Sequence, residues 1–281
     1  MTNDVTPNVL LAGLRFGEAP RWHDGKLWFS DFYTHRVLTL DLDGKTETIV
    51  EVPQQPSGLG WAPDGTLLIV SMLDHRLLAF SGGVLTERAD LSAYATGPCN
   101  DMVVDGVGRA YVGNFGFEPG AAQRTTCIVR ADPDGSTTMA ADDLLFPNGT
   151  VITPDGATLI VGETFANRLT AFDIGAGGAL SKRRVFAQFD GVFPDGICLD
   201  AEGAVWVADP VGHRVVRVFE GGRIERTIST GALGSYACML GGPARTTLFI
   251  VTNSGSGAAA AAKTDGRIEC VEVDVPGAGL P

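Results

Sequence analysis

Two similar tetrapeptides, Phe146-Pro147-Asn148-Gly149 and Phe193-Pro194-Asp195-Gly196, each place one oxygen-bearing side chain at the start of an apolar strand. Each tetrapeptide opens a segment that continues as a strand, a turn and a second strand, and four other places in the chain begin in the same way. A carboxylate and a carboxamide that are brought together can bind a hard cation through oxygen. The chemistry of these residues therefore depends on whether the repeated segments face one another.

The repeat continues along the chain and predicts the fold. Six second strands can be aligned, and most follow a tight turn such as Asp24-Gly25 or Pro154-Asp155-Gly156. Such turn sequences supply the positive φ that a hairpin requires. A basic pattern such as His35-Arg36-Val37 starts a third strand, and a further glycine turn leads to a fourth. Four antiparallel strands per unit, repeated at intervals of about forty residues, predict an all-β fold, a six-bladed β-propeller.

The two ends of the repeat series indicate how the ring closes. The sixth unit stops after a third strand at 267–275, whereas the apolar segment 5–11 precedes the first unit without a repeat of its own. We expect this N-terminal strand to complete the last blade, which would leave no open strand edge at the seam. No linker or shift in composition interrupts the series, so residues 1–281 are expected to form a single domain.

The repeat also allows equivalent positions to be compared between units. Counting back about seven residues from the first hairpin turn of each unit reaches the start of the innermost strand, which lines the central channel of a propeller. The six equivalent positions are Glu18, Ser57, Asn100, Asn148, Asp195 and Ala237. Two carboxylates facing each other across a channel are disfavoured by repulsion and desolvation unless a cation lies between them. The sequence therefore predicts a metal site formed by Glu18, Asn100, Asn148 and Asp195.

The ligand types indicate which metal would bind. All four predicted ligands are hard oxygen donors, and neither His nor Cys occupies this ring. These donors favour one divalent ion, with Ca²⁺ as the first choice and Mg²⁺, Mn²⁺ or Zn²⁺ as alternatives, although a structural zinc suits them less well. The alternative interpretation is that Pro-Asn-Gly and Pro-Asp-Gly are ordinary turn sequences. Four oxygen ligands at one phase of the repeat favour the metal site.

The motifs around these positions resemble those of the regucalcin (senescence marker protein) and gluconolactonase family of six-bladed propellers. The likeness covers essentially the whole chain and is carried by four stretches: Gly17-Glu18-Ala19-Pro20-Arg21-Trp22, Cys99-Asn100-Asp101, Phe146-Pro147-Asn148-Gly149 and the run from Pro194 to Gly203. The resemblance implies a single divalent ion held by the four predicted ligands. It also implies that Asp195 acts as the general base in lactone hydrolysis.

The residues themselves support metal-assisted hydrolysis. A bound cation polarises a lactone carbonyl and stabilises the charge that develops on attack, and a carboxylate beside the attacking water can accept its proton. Coordination also weakens a carboxylate as a base, so the sequence leaves open whether Asp195 or a hydroxide held by the ion is the effective base or nucleophile. The resulting prediction is a metal-dependent lactonase, a carboxylic ester hydrolase, with Asp195 as its catalytic residue.

The sequence departs from the sugar-lactonase pattern at Pro98. Family members that act on sugar lactones resemble one another in having an arginine two residues before the asparagine of blade three, where it meets substrate hydroxyls. The resemblance also implies a glutamate that contacts substrate, and Glu118 falls at the matching distance from Asn100. A polar clamp on a sugar is therefore missing at Pro98, while Glu118 is retained as a candidate contact.

Positions two residues before the predicted ligands suggest the character of the substrate. They are Phe16, Gln55, Pro98, Phe146, Phe193 and Ser235. Three aromatic residues and a proline predict an apolar entry and a lactone or ester with an apolar or aromatic body. The alternative is that these phenylalanines pack between blades.

Side chains at the ends of the second strands are expected on the same face of the propeller as the predicted metal site, because these strands end there. Asp31 and Asp209 are expected to pair with backbone groups, and Asn114 to contact substrate. Loop 116–125 is the candidate lid.

Composition excludes several classes of partner. A net charge of −12 argues against nucleic acid and anionic membrane surfaces, which require basic proteins. Five cysteines without a C-x-x-C pair suggest buried thiols, and the absence of a spanning or signal-like segment suggests a cytoplasmic protein. The expected partner is a small molecule. The alternatives are a sugar lactonase, a phosphotriesterase or a non-catalytic calcium-binding protein, and the oligomeric state is not indicated.

Overall fold

The computed structural model describes residues 6–281 and confirms the predicted all-β, six-bladed propeller. Within this range, 24 strands form six four-stranded antiparallel sheets. The only helical segments in it are a short α-helix, Ala258–Ala261, and two 3₁₀ turns, Phe32–Thr34 and Thr164–Ala166. No described helix has the length and apolar character needed to cross a membrane.

The first strand, β1 (Asn8–Leu14), does not belong to the first blade. Blade one contains β2 (Gly17–His23), β3 (Lys26–Asp31), β4 (Arg36–Leu40) and β5 (Thr46–Glu51). Blade two contains β6 (Pro56–Trp61), β7 (Leu67–Ser71), β8 (Arg76–Ser81) and β9 (Val84–Asp90). Blade three contains β10 (Cys99–Val104), β11 (Ala110–Asn114), β12 (Thr126–Ala131) and β13 (Thr137–Leu144).

The second half of the ring follows the same plan. Blade four contains β14 (Pro147–Ile152), β15 (Thr158–Glu163), β16 (Arg168–Ile174) and β17 (Leu180–Gln188). Blade five contains β18 (Ile197–Leu199), β19 (Val205–Asp209), β20 (Arg214–Val218) and β21 (Ile224–Ser229). Blade six contains β22 (Gly234–Gly241), β23 (Thr247–Asn253) and β24 (Gly266–Glu272).

The N-terminal strand closes the ring, as predicted. Blade six has the order β22, β23, β24, β1, and β1 pairs antiparallel with β24 so that Asn8 lies opposite Cys270. The observed strand runs from Asn8 to Leu14, somewhat later than the predicted segment 5–11, whose first residue lies outside the described part of the chain.

The hydrophobic core lies between neighbouring blades. Middle strands such as β7, with the sequence LLIVS, are buried along their whole length because a blade covers each face of the sheet. One core cluster joins blades five, six and one through Trp206, Phe249 and Phe29. Outermost strands such as β5 carry mostly exposed or half-buried residues. This stacking fixes the innermost strands around the channel.

A repeated side-chain hydrogen bond fixes the backbone just before the innermost strands. Asp31, the last residue of β3, accepts a 2.9 Å bond from the Phe16 backbone N–H, and Asp209, the last residue of β19, accepts a 3.2 Å bond from that of Phe193. In blade four, Glu163 at the end of β15 does the same for Leu145 at 2.9 Å. The expectation that Asp31 and Asp209 pair with backbone groups agrees with these bonds.

Candidate active site

One cavity of about 590 Å³ opens at the face where the innermost strands begin. All four predicted ligands, Glu18, Asn100, Asn148 and Asp195, line it. They come from blades one, three, four and five, and they are 4–8% exposed. The closed ring thus gathers onto one cavity residues that lie far apart in the sequence.

Hydrogen bonds connect the two carboxamides to each other and to the next blade. Asn100 Nδ2 donates to Asn148 Oδ1 at 3.0 Å, and Asn148 Nδ2 donates to Thr164 Oγ1 at 3.2 Å. Thr164 in turn donates to the Pro194 carbonyl at 2.6 Å, beside Asp195. A carboxamide oxygen has two lone pairs, so Asn148 Oδ1 can accept this bond and still face another partner.

The two carboxylates lie in an electrostatically unfavourable position. Burial raises the pKa of Glu18 well above its ordinary value, and the charges of Asp195 and Asp101 raise it further. Burial likewise raises the pKa of Asp195 well above its ordinary value, and the hydrogen bond from Asn148 offsets only part of this. Both carboxyl groups therefore lack a positive partner strong enough to compensate for their burial.

The charge of the channel is suited to a divalent cation. Arg21 Nη2 pairs with Asp101 Oδ1 at 2.5 Å, and the rest of its guanidinium binds backbone carbonyls, including that of Leu59. The three carboxylates of Glu18, Asp101 and Asp195 with the one guanidinium of Arg21 leave two negative charges when all are ionised. Two carboxylates and two carboxamide oxygens around a buried cavity are the donors that Ca²⁺ prefers. The residues present fit such an ion.

Clusters of three or more His, Cys, Asp or Glu that could hold a metal are absent from the described residues. The predicted set contains only two carboxylates and depends on two asparagines for its other oxygens. All of its donors are oxygens, the ligand type of hard cations.

Glycines that follow the ligand residues allow the innermost strands to approach closely. A Cβ on Gly149 would lie 2.6 Å from the Asp195 carbonyl oxygen, and one on Gly196 would lie 2.6 Å from the Ala237 Cβ. The Gly149 N–H also donates to that Asp195 carbonyl at 3.1 Å. Blades four, five and six can therefore meet at the channel only because neither position carries a side chain.

Aromatic side chains form a large share of the cavity wall. The predicted residues Phe16, Pro98, Phe146 and Phe193 all line it. The wall contains seven phenylalanines and two tyrosines, and five of these nine residues had not been singled out from the sequence as candidates for the site: Phe32, Tyr33, Phe115, Phe165 and Tyr236. Phe32, Phe115 and Phe165 each follow a second strand within two residues, so comparing that position between units would have found them.

Phe146 lies at the centre of a cluster of four phenylalanines in the wall. Its ring stacks on Phe115 with centroids 4.5 Å apart and contacts Phe165 at 4.9 Å and Phe117 at 5.8 Å. Its backbone has a φ of 57°, in the left-handed region that a bulky side chain rarely occupies. Such strain persists only where the surrounding structure holds it, and it is common at functional sites. The phenylalanines therefore pack together and also remain part of the cavity surface.

Asn114 does not reach the cavity, which corrects the expectation that it contacts substrate. It is fully buried, and its Oδ1 accepts hydrogen bonds from the Gly116 N–H at 3.1 Å and the Thr126 hydroxyl at 2.6 Å. Its Nδ2 donates to the Cys127 carbonyl at 2.9 Å. The side chain is saturated by the protein and holds the start of loop 116–125 in place.

Glu118 is also absent from the cavity wall. It is exposed on loop 116–125, whereas its neighbours Phe117 and Pro119 do line the cavity. The predicted contact between Glu118 and substrate is therefore not supported by its position, while the loop does contribute to the covering of the cavity.

A second segment covers the cavity from blade six. Ser256, Gly257 and Ala258 line it, and Ala260 packs against Phe16 and Phe32. Two tyrosines of the wall lie beside this segment, Tyr33 near the Gly257 backbone and Tyr236 near the Ser256 side chain. The covering of the cavity is thus shared between loops of blades three and six.

All five cysteines, which fall within the described residues, are free thiols, and four of them are buried. Burial raises the pKa of Cys99 to about 12, so this thiol stays protonated. None of the five lines the cavity, which agrees with a packing role.

Comparison with known proteins identifies the family. The family described as "SMP-30/Gluconolactonase/LRE-like region" matches residues 16–254. Regucalcin from Danio rerio is 28% identical over 84% of this chain and 82% of its own length. The 6-deoxy-6-sulfogluconolactonase from Pseudomonas putida is 28% identical over 94% of both chains.

A solved structure shows the same architecture. The calcium-binding protein regucalcin from Agrobacterium tumefaciens superposes with a TM-score of 0.84 at 25% identity, covering 98% of this chain and 96% of that one. The likeness spans all six blades, including the strand that closes the ring. These similarities confirm the resemblance predicted from the motifs, and the chain belongs to the SMP-30/gluconolactonase/LRE-like family.

Proposed function

We propose that this protein is a divalent-cation-dependent lactonase that opens a lactone with an apolar or aromatic body. The observation that carries the proposal is the convergence of Glu18, Asn100, Asn148 and Asp195 at one aromatic-walled cavity. Two relatives support its parts by name: one is a sulfogluconolactonase, and the other is a regucalcin described as calcium-binding.

The four oxygen ligands would hold the cation, with Ca²⁺ as the first choice. When bound, it would supply Lewis-acid polarisation of the lactone carbonyl and compensation for the charge that develops on the carbonyl oxygen. The reaction adds water to the carbonyl carbon and breaks the ring carbon–oxygen bond, which gives a hydroxy acid.

Asp195 is the residue suited to accept the proton of the attacking water. It is the only carboxylate besides Glu18 on the cavity wall among the described residues, and its backbone is fixed by hydrogen bonds with Gly149 and Ala208. A base must lie within hydrogen-bond reach of its proton donor, and a rigid backbone keeps it there. Glu18, in contact with its own blade through the Ala19 N–H at 3.1 Å, serves as a ligand.

The wall indicates the class of substrate. Among its described residues it contains no Lys, Arg or His, so it offers no cationic partner for a carboxylated or sulfonated lactone. At the position where sugar lactonases of the family have an arginine there is Pro98, which has no side-chain donor. An uncharged lactone with an apolar or aromatic body is therefore the best match, because its body gains from contact with the phenylalanines.

A substrate panel tests the proposal. The purified protein is assayed with a phenyl-substituted lactone and with gluconolactone, first with Ca²⁺ and then with excess chelator. We expect kcat/KM to be at least about tenfold higher for the phenyl-substituted lactone and activity to be lost with chelator and restored by Ca²⁺. A clear preference for gluconolactone contradicts the substrate class, and unchanged activity in chelator contradicts the cation dependence.

A calcium-binding role without hydrolysis is the second candidate. It is favoured by the description of the Agrobacterium tumefaciens structure as a calcium-binding protein. In that case we expect calorimetry to detect Ca²⁺ binding that depends on the four ligands. We also expect no lactone of the panel to be hydrolysed faster than in buffer.

A further inference from the structure

Tyr236 occupies a position in blade six that no other blade fills in a similar way. It lies in β22, one residue before Ala237, the member of the ligand ring that has no oxygen in its side chain. The equivalent residues of blades one to five are small or cyclic: Gly17, Pro56, Cys99, Pro147 and Pro194. Blade six therefore contributes a phenol to the cavity where it contributes no ligand.

The backbone of Tyr236 is hydrogen-bonded to the residue that follows the predicted catalytic residue, Asp195. Its carbonyl accepts a 2.8 Å hydrogen bond from the N–H of Gly196, the residue after Asp195. Its ring packs edge-on against Phe16 with centroids 4.7 Å apart. A Cβ on Gly234 would lie 3.2 Å from Tyr236 Cε2, so the glycine leaves room for the ring. The phenol is thus held in a defined position in the same cavity as Asp195.

The surroundings keep this phenol protonated. Burial raises the pKa of Tyr236 to about 12, and the negative charges of Asp195 and Glu18 act in the same direction. The hydroxyl is therefore a hydrogen-bond donor at neutral pH and lies within the electrostatic influence of both carboxylates. The neighbouring side chain is that of Ser256, an exposed residue whose place water or substrate can take.

Three other polar side chains of the wall already donate hydrogen bonds. Thr164 donates to the Pro194 carbonyl at 2.6 Å, and Asn148 Nδ2 donates to Thr164 at 3.2 Å. Gln55 Nε2 donates to the sulfur of Met72 at 3.1 Å. Tyr33, the second phenol, is influenced by the charge of Glu18, whereas Tyr236 is influenced first by that of Asp195. Tyr236 is the donor that combines a fixed ring, an exposed neighbour that water or substrate can replace, and a backbone hydrogen-bonded to the residue after Asp195.

We propose that Tyr236 is a catalytic residue that donates its phenolic proton to the ring oxygen of the lactone as the carbon–oxygen bond breaks. This inference rests on the proposed function. Water loses one proton to Asp195 and adds to the carbonyl carbon, the ring oxygen leaves with the proton of Tyr236, and the proton held by Asp195 then returns to the phenolate. The net change is one water added to one lactone.

A pair of lactones with different leaving groups separates this role from a structural one. One lactone releases an aliphatic alkoxide and the other, fused to benzene, releases a phenolate of similar size. An alkoxide requires a proton to leave, whereas a phenolate leaves without one. For Tyr236→Phe we expect kcat to fall about 100-fold on the alkoxide substrate and less than about threefold on the phenolate substrate.

The ratio of the two rates in one sample does not depend on the fraction of enzyme that is folded, so a destabilised variant still gives a decisive result. Tyr94→Phe is the matched control, because Tyr94 packs in the core of blades two and three, away from the cavity. We expect it to leave both rates unchanged. Calorimetric Ca²⁺ binding by Tyr236→Phe should equal that of the wild type.

Each remaining outcome is decisive. One outcome is that the wild type hydrolyses both lactones while Tyr236→Phe loses both activities equally or keeps both. In that case the proposed role of Tyr236 is wrong and the lactonase function stands. If the wild type hydrolyses no lactone, the proposed function falls and this role falls with it.

Discussion

Asn100 and Asn148, 48 residues apart in the chain, are joined by a 3.0 Å hydrogen bond between their carboxamides. The bond crosses from blade three to blade four and fixes the rotamers of both side chains before any ligand arrives. A site whose ligands already support one another loses less conformational entropy on binding. The proposed cation binding therefore depends on folding, because the folded chain brings these two side chains together.

Wild type and Glu18→Gln should exchange their order of stability when Ca²⁺ is added. In chelator, Glu18→Gln removes one of two buried carboxyl groups that lack a compensating partner. We therefore expect the variant to be more stable, with a free energy of unfolding about 1–3 kcal/mol above that of the wild type. With Ca²⁺ at about 1,000 times the dissociation constant the wild type should be the more stable protein, because binding adds about 4.1 kcal/mol, which exceeds the gain from the substitution. Chemical denaturation with and without Ca²⁺ measures both values.

A matched control for Glu18→Gln is Glu220→Gln, an exposed glutamate outside the cavity. It should respond to Ca²⁺ as the wild type does. An equal gain in stability from Ca²⁺ in wild type and Glu18→Gln would contradict the assignment of Glu18 as a ligand.

Asn114→Ala should reduce stability without changing substrate recognition. The substitution leaves the Gly116 N–H, the Thr126 hydroxyl and the Cys127 carbonyl without their partner in a buried location. We expect a loss of about 2–4 kcal/mol in the free energy of unfolding, measured by urea denaturation. Well below the transition temperature, KM should stay within about twofold of the wild type. A large rise in KM with unchanged stability would restore Asn114 as a substrate contact.

The pH dependence of stability should reflect Glu163. Its side chain is fully buried, which raises its pKa, but hydrogen bonds from Arg168, Thr170 and the Leu145 N–H outweigh burial and leave the pKa below the ordinary value of 4.5. A carboxyl with a lowered pKa in the folded state stabilises the protein at pH above 4.5 and loses this contribution as pH falls through the folded-state value.

We therefore expect the free energy of unfolding to decline below about pH 4.5 in the wild type and to decline less steeply in Glu163→Gln. At pH 7 the variant should be less stable by about 2 kcal/mol, because a charged hydrogen-bond acceptor of Arg168 is lost. Denaturation curves between pH 3 and pH 7 provide the measurement. Parallel curves for the two proteins would show that Glu163 contributes nothing to acid unfolding.

Phe117→Ala should weaken recognition of an aromatic substrate selectively. Phe117 lies on the covering loop, 5.8 Å from the ring of Phe146. Loss of one contact between aromatic rings costs about 0.5–1.5 kcal/mol of binding energy in addition to the loss of buried apolar area. We therefore expect kcat/KM for a phenyl-substituted lactone to fall about tenfold. The value for gluconolactone should stay within about twofold. Phe219→Ala, outside the cavity, is the control. An equal loss on both lactones would contradict an aromatic binding wall.

The repeat explains why the sequence predicted the ring of Glu18, Asn100, Asn148 and Asp195. In a propeller, one phase of the repeat corresponds to one height in the channel, so equivalent positions converge whatever the loops between them do. Asn114 was placed wrongly by the same logic. Its position is equivalent to those of Asp31 and Asp209, and the phase of a strand end does not tell whether the side chain turns towards the cavity or back to the chain.

The remaining wall residues depend on features that the repeat does not contain. Phe117 and Pro119 lie on a loop that is longer in blade three than in its neighbours, and the segment Ser256 to Ala258 is an insertion between β23 and β24. Tyr236 sits at a position that is small or cyclic in every other blade, so comparison between units gave it no emphasis. Local departures from the repeat therefore supply wall residues that the repeat itself does not predict.

The pairing of β1 with β24 also determines the order in which the blades can fold during translation. Blades one to five each consist of four consecutive strands and can assemble as they emerge, whereas β1 finds its partner only after Gly266–Glu272 has been translated. Until then the nascent chain presents unpaired edges that can join a neighbouring polypeptide. If translation stops before residue 266, β1 has no strand to pair with. We therefore expect the nascent chain to bind chaperones most strongly at that stage of synthesis.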